Sequence, residues 1–318
     1  SRSGEATLPL PSVFSNLTQF PIPNDQGCDA FFAAPLSVSP PGKQHLRGVQ
    51  LTVVNFFLAT LAGLDQQYEQ TTKEVMDEHI FRITQPYKAC AYDMMHHLRL
   101  NVDKPVTSKP THFVSHAWST KFSVTLAAIN AYCEETEVST DDVYLWMDVF
   151  CLNQHTEVPG SRTMTETELA TCFANSVETA GHTLFVCTPW DQPKALTRCW
   201  CLYEILETMK LGATFSVCLP PEERKRFSDT MVENHEDVEK LGVLDVDVRC
   251  AEAWTAEDRD MIFGWIEAGS GFVDMNRVVK GALRNWVLSA GLRCLKSLQK
   301  RHGKDSFLSV KFARSLAA

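Results

Sequence analysis

The chain has 318 residues, 44% of them hydrophobic and 22% charged, and a mass of 35.7 kDa, which is enough for one large globular domain or two small ones. Its formal net charge of -9 argues against a surface built mainly to bind nucleic acid, because such surfaces are basic. The longest apolar stretch, Leu51 to Leu64, is too short to span a bilayer and predicts a core helix, so no membrane span is expected. We therefore expect a small-molecule ligand.

The 11 cysteines are odd in number and include no CxxC pair. Several lie inside apolar runs, among them Cys187, Cys201 and Cys218. This distribution is typical of buried, reduced thiols rather than of a disulfide framework. It predicts a cytoplasmic protein.

Two segments precede the regular part of the sequence. Residues 1–45 are rich in Pro, Ser and Gly, and they predict an extended arm. Residues 46–110 carry apolar residues at helical intervals, and Thr71 and Glu74 have the spacing of a capping box. We predict a helical N-terminal region there, which forms a flanking layer or a small cap on the domain that follows.

Short apolar runs alternate with helical patterns between residues 111 and 302, which we assign to the main domain. The predicted strands lie near 111–115, 143–149, 182–188, 213–218 and 244–249. The predicted helices lie near 120–134, 164–180, 197–211, 221–234 and 256–268. This alternation predicts an α/β fold with a parallel sheet covered on both faces, and five strands suggest the flavodoxin-like doubly wound order 2-1-3-4-5.

The last predicted helix, roughly Asn276 to Arg301, is amphipathic, and a basic C-terminal tail follows it over residues 303–318. Basic residues there are typical of a solvated helix end, where the helix dipole favours them. The alternative is a contact with a partner or an acidic surface.

Polar and aromatic residues follow the first three predicted strands. In an open parallel sheet, ligands bind beyond the carboxyl ends of the strands, near the point where the strand order reverses. The residues placed at that edge are Ser115, His116 and Trp118 after the first strand, Asp148 and Asn153 after the second, and Trp190 after the third. We predict that these side chains line a binding site.

Glu204 is the candidate catalytic residue, in the helix that follows the third strand. Trp200 precedes it by four residues, so the two share a helix face and can present a ring and a carboxylate to one ligand. Tryptophan stacks on planar rings, and a carboxylate can hold ribose hydroxyls or stabilise an oxocarbenium-like centre, so cleavage of an N-glycosidic bond in a nucleotide fits. The alternative is that Glu204 pairs with Arg198 or a neighbouring lysine on a solvated helix surface.

Several histidines lie close to the predicted strands and invite a metal interpretation. The residues concerned are His112, His116, His155 and His182, with Asp148 and Cys151. None forms a tight HxxxH or CxxC spacing, so we predict no metal site. The chain also has no P-loop and no GxGxxG, so a glycine-rich phosphate cradle is not predicted.

The segment Trp200-Cys201-Leu202-Tyr203-Glu204 resembles the Trp-Cys-Leu-x-Glu motif of TIR domains (Toll/interleukin-1 receptor type), especially those of plant immune receptors. The Phe113-Val114-Ser115 start is similar to the first-strand box of these domains, and Pro159-Gly160 matches the Pro-Gly of their BB loop, which follows the second strand. In enzymatically active TIR domains the glutamate of the motif is the catalytic residue for cleaving NAD. The resemblance implies that Glu204 is its counterpart.

Two further blocks extend the resemblance, which covers about residues 111 to 290. The run from Leu145-Trp146-Met147-Asp148 through Cys151-Leu152-Asn153-Gln154 resembles the Trp-Ile-Asp…Cys-Ile-Asn-Gln block of fungal heterokaryon-incompatibility domains, which are themselves TIR-like. The pairing of Ser-His-Ala-Trp with Leu-Thr-Arg-x-Trp-Cys-Leu-x-Glu is similar to TIR-like proteins of algae and other protists.

The resemblance implies a nucleotide hydrolase with NAD or a related nucleotide as its substrate and no bound cofactor. It also implies self-assembly into homo-oligomers through the loop that holds Pro159 and Gly160. Water, or a base nitrogen that gives a cyclised product, would accept the ribosyl group. Two alternatives stay open: a non-catalytic TIR-like assembly module, and an unrelated small-molecule enzyme that uses the same strand-end pocket.

Overall fold

The structure is a computed structural model that describes residues 43–64, 69–97, 105–155, 164–233 and 246–304, together with residues 306 and 309. Its centre is a six-stranded sheet with the strand order β2-β1-β4-β3-β5-β6. The strands are β1 (Gly48–Gln50), β2 (Thr107–Ser108), β3 (His112–Ser115), β4 (Tyr144–Trp146), β5 (His182–Val186) and β6 (Thr214–Cys218).

Four neighbouring strands, β4, β3, β5 and β6, run parallel, whereas β1 and β2 extend the sheet in antiparallel pairs. The parallel register pairs Phe113 with Trp146 and Ser115 with Phe185, so the carboxyl ends of these strands meet at one edge. The predicted α/β class is therefore confirmed. The sheet has six strands rather than five, because the predicted strand near 244–249 is not among its described strands and the N-terminal region, predicted as helical, contributes β1 and β2.

The described helices flank this sheet. They are α1 (Leu51–Leu64), α2 (Thr72–Val75), α3 (Phe81–Thr84), α4 (Ala91–His97), α5 (Phe122–Thr136), α6 (Asp148–Cys151), α7 (Glu166–Ala180), α8 (Cys199–Lys210), α9 (Pro221–Glu233), α10 (Ala256–Ala268) and α11 (Gly271–His302). A π-helical turn, Met76–Ile80, joins α2 to α3. The predicted capping box of Thr71 and Glu74 is confirmed at the start of α2. None of these helices has both the length and the apolar character needed to cross a bilayer.

Two strand predictions were wrong in part or in whole. The second predicted strand ends at Trp146 and not near residue 149, because Asp148 begins α6 and its Oδ1 accepts a hydrogen bond from the Val149 N–H at 2.8 Å. The predicted strand near 244–249 is a 3-10 turn, Val248–Cys250, in its described part. There the Asp247 side chain caps the turn by accepting from the Arg249 N–H, so the backbone bonds locally rather than with a sheet.

Side-chain alternation along β3 shows that helices cover both faces of the sheet. Phe113 contacts Phe173 of α7, whereas His112, the preceding residue, contacts Tyr132 of α5. Successive strand residues point to opposite faces, so α7 and α5 lie on opposite faces. Ser115 follows Phe113 by two residues and therefore points to the α7 face, which also carries α8.

The α5 face holds a pair of neighbouring imidazoles, His112 and His182, with ring centroids 4.8 Å apart. Burial and the nearby His182 lower the pKa of His112 to about 4, and burial also lowers the pKa of His182. The folded protein therefore binds these protons more weakly than the unfolded chain does. The stability that neutral His112 contributes is present above the unfolded pKa and is lost as the pH falls towards its folded pKa.

We predict that the free energy of unfolding of His112→Gln falls less steeply than that of the wild type as the pH is lowered below neutrality. Between about pH 8 and about pH 5 the wild type should lose about 2 kcal/mol more unfolding free energy than the variant, measured by urea titration at each pH. His302→Gln, at an exposed helix end, is the control and should follow the wild type. Parallel curves for wild type and His112→Gln would show that His112 is not buried as a neutral group.

Candidate functional site

Glu204 lies on the face of α8 that packs on the sheet and is only 6% exposed. Two residues of the same helix face fix its position. The Cys201 thiol donates to the His116 carbonyl at 3.4 Å, and the Thr208 and Thr183 hydroxyls are hydrogen bonded at 2.7 Å. Because these contacts lie one turn before and one turn after Glu204, the carboxyl group is held beside Ser115 at the carboxyl end of β3.

Three polar atoms are buried at this edge without a hydrogen-bond partner among the described residues: Glu204 Oε2, Ser115 Oγ and His116 Nε2. Leaving one such atom unpaired costs about 1 to 3 kcal/mol. The Ser115 hydroxyl is close enough to Glu204 to lower the pKa of the carboxyl group. The distance or angle between the two groups nevertheless falls outside that of a hydrogen bond. Unpaired polar atoms on neighbouring residues at a strand end are typical of a site that a polar ligand completes.

Burial raises the pKa of Glu204 well above its usual range. The Asp148 carboxylate raises it further, and Ser115 opposes the rise only in part. The raised pKa favours the neutral carboxylic acid over the carboxylate. A carboxyl group with a strongly shifted pKa, placed at a strand end, is a candidate for proton transfer or for binding a developing positive charge.

Asp148, the first residue of α6, orients the indole ring of Trp118. Its Oδ2 accepts from the Trp118 indole N–H at 2.7 Å. The same carboxylate raises the pKa of His116, but burial has the larger, opposite effect, so the pKa of His116 is lowered overall and the imidazole is neutral. We call Ser115, His116, Asp148 and Glu204 the strand-end site, with Trp118 attached to it through Asp148.

Two of the predicted binding residues, both tryptophans, make other contacts. The Trp200 ring stacks on Phe173 at 4.9 Å and belongs to the aromatic core between α7 and α8. The Trp190 ring packs edge-on against Phe227 of α9 at 5.1 Å. The structure thus places both indoles in hydrophobic contacts, because burying a large apolar ring is favourable wherever a neighbouring helix offers a surface.

Asn153 has a local structural role in the loop after α6. Its side-chain amide donates to the Lys88 carbonyl at 2.9 Å and accepts from the His155 N–H at 3.0 Å. These bonds fix the loop to the N-terminal region. The predicted assembly residues Pro159 and Gly160 lie outside the described residues.

Two alternatives for the site residues can be compared with the geometry. The alternative that Glu204 pairs with Arg198 or a lysine on a solvated surface is wrong, because Glu204 is buried and forms no ion pair with any described residue. Within the described ranges no group of three or more His, Cys, Asp or Glu side chains could hold a metal ion. His155 is instead hydrogen bonded to the Thr84 hydroxyl at 2.8 Å.

Comparisons of the chain with protein-family models, with curated proteins and with solved structures found no match. Sequence reasoning missed Cys201 and Thr208, which fix the depth of Glu204. Their positions three residues before and four residues after Glu204 on one helix face were the available signal.

Proposed function

We propose that the chain is a TIR-like nucleotide hydrolase of flavodoxin-like type that cleaves the N-glycosidic bond of NAD or a related nucleotide, with Glu204 as its catalytic carboxyl group. The observation that carries the proposal is the buried, unpartnered Oε2 of Glu204 beside the equally unpartnered Ser115 Oγ and His116 Nε2. A folded chain keeps such a costly arrangement when a ligand satisfies it. The resemblance of the Trp200-to-Glu204 segment to the TIR motif supports the same assignment.

The proposed chemistry uses the shifted pKa of Glu204. A cationic nicotinamide ring beside the carboxyl group favours ionisation, so Glu204 can lose its proton when the substrate binds, and the neutral His116 can accept it. The carboxylate then stabilises the positive charge that develops on the ribose C1′ as the C1′–N bond breaks. The bonding electron pair stays with nicotinamide, which leaves as a neutral molecule.

The second half of the reaction needs a nucleophile for C1′. Water attacks this carbon from the solvent side, its proton passes to the Glu204 carboxylate, and His116 releases its extra proton to solvent. If a nitrogen of the substrate's own base reaches C1′ first, the product is cyclic instead. Ser115 has a hydroxyl that can hold a ribose oxygen, and Asp148 keeps Trp118 in place at the edge of the site.

A self-assembly function is the second proposal, because α11 carries an exposed apolar pair. Leu288 and Leu292 are one turn apart and are 50% and 53% exposed. Apolar residues that share an exposed helix face are typical of a contact surface, and we propose that a second copy of the chain covers them. Assembly and catalysis are compatible functions.

One experiment tests both proposals. Purified protein is incubated with NAD at low and high protein concentration, and nicotinamide release is followed by chromatography while the mass of the particles is measured by light scattering. Release per protomer that rises with assembly supports both. Assembly without release supports the assembly module alone, and release from monomers at constant specific activity contradicts a role of assembly in catalysis.

A further inference from the structure

Trp254 is unusual among the aromatic residues because 63% of it is exposed. The backbone before it is fixed to the start of α8: Cys199 N–H donates to the Glu252 carbonyl at 2.9 Å, and Glu252 N–H donates to the Thr197 carbonyl at 2.8 Å. The indole is therefore held near the amino end of the helix that carries Glu204. A large, fixed, exposed indole is a typical binding element.

Lys73 of α2 joins Trp254 to the strand-end site. Its ammonium group lies over the Trp254 ring, 5.4 Å from the centroid, which is a cation–π contact. Its backbone N–H donates to the Trp118 carbonyl at 3.0 Å, and the Trp118 indole in turn donates to Asp148. A continuous series of contacts thus connects Trp254 with Asp148.

A second lysine approaches the same turn. Lys194 Nζ donates to the Ser119 carbonyl at 3.2 Å, directly after Trp118. Lys73 also forms an ion pair with Asp77, one turn further along the same helical segment. The Lys194 ammonium group and the Lys73 backbone therefore contact the turn that leads out of the strand-end site, and the Lys73 ammonium group, paired with Asp77, lies on the exposed indole of Trp254.

We infer that Lys73, Lys194 and Trp254, which we call the outer subsite, bind the phosphates and the distal base of a nucleotide whose reacting ribose lies at Glu204. The inference rests on the proposed function and specifies its substrate class as phosphate-bearing dinucleotides rather than simple nucleosides. The base stacks on Trp254, and the lysines contact the phosphates as point charges. It also gives the N-terminal region, through Lys73, a direct part in substrate binding.

The test is calorimetric titration of the full chain with ADP-ribose, which carries two phosphates and adenine but no nicotinamide to release. Trp254→Ala should weaken binding about tenfold, because a stacked base is lost, and Trp254→Phe should restore most of the affinity. Lys73→Met and Lys194→Met should each weaken binding severalfold and reduce its salt dependence. Lys225→Met is the matched control, because Lys225 also pairs with an Asp four residues later, and it should bind as the wild type does.

The outcomes separate this inference from the proposed function. If NAD is cleaved but the affinity for ADP-ribose is equal in wild type and Trp254→Ala, the outer subsite is wrong and the hydrolase stands. If ADP-ribose binds through Trp254 but NAD is not cleaved, the outer subsite stands and the hydrolase is wrong. Absence of ADP-ribose binding by the folded wild type overturns the outer subsite.

Discussion

Glu204→Gln is expected to reduce nicotinamide release from NAD by about 100- to 10,000-fold while leaving the fold intact. Glutamine has the same size as the protonated glutamic acid that occupies the site, but it cannot ionise to stabilise the charge on the ribose. Glu207→Gln is the control, because Glu207 lies three residues later in α8 and pairs with Lys210. It should keep the wild-type rate within about twofold, because Glu207 does not belong to the strand-end site.

The Glu204→Gln variant should also show that the pKa of Glu204 is raised, because its stability relative to the wild type should change with pH. Because the folded pKa is raised, the favourable contribution of the protonated group is present below the unfolded pKa and is lost as the pH rises through the folded pKa. The wild type should therefore become less stable relative to Glu204→Gln as the pH rises from about 5 towards 8. Urea unfolding at several pH values measures this difference, and a constant difference would show that Glu204 is not a buried acid.

Asp93→Ala is expected to destabilise the fold by about 3 to 5 kcal/mol, the largest stability effect that we predict. Asp93 accepts from Arg47 at 2.7 Å, and the two side chains are only 1% and 4% exposed. Arg47 also donates to the Cys151 carbonyl at 2.6 Å. The ion pair thus ties α4 and the residue before β1 to the end of α6, and its loss leaves a buried guanidinium group without its counter-ion.

Two controls define the cause of this loss. Arg47→Met combined with Asp93→Leu removes both charges and should recover much of the stability, because an apolar pair avoids the desolvation of two ions. Lys225→Met breaks an exposed pair with Asp229 and should change stability by less than about 1 kcal/mol. Chemical denaturation of the wild type and the three variants gives the four free energies of unfolding. Equal losses in Asp93→Ala and the double variant would contradict an unpaired charge as the cause.

Secondary-structure elements whose ends are marked by capping residues or glycine could be predicted from the sequence. The helix predicted near 164–180 is α7, because Thr165 and Glu168 form a capping box at its start and Gly181, with φ of 67°, ends it. By contrast, β1 is three residues long and exists through pairing with β2 and β4. Such strands are set by tertiary contacts and leave no periodic signal in the sequence.

The strand-end site could be predicted only as a position in the fold. Strand register places Ser115 and His116 at the correct edge, and helix periodicity gives the face of α8 that carries Glu204. What covers that face depends on contacts between distant segments, such as Cys201 with His116. For the same reason, Trp190 and Trp200 could not be assigned to core clusters from sequence, since a tryptophan suits a pocket and a core equally well.

The most direct test of the central claim is nicotinamide release from NAD by wild type and Glu204→Gln, at equal concentrations of protein shown to be folded by circular dichroism. We predict steady release by the wild type and release by the variant that is lower by about 100-fold or more. Equal release by both proteins would contradict the role of Glu204. Absence of release by the folded wild type, at the highest protein concentration as well, would contradict the proposed hydrolase.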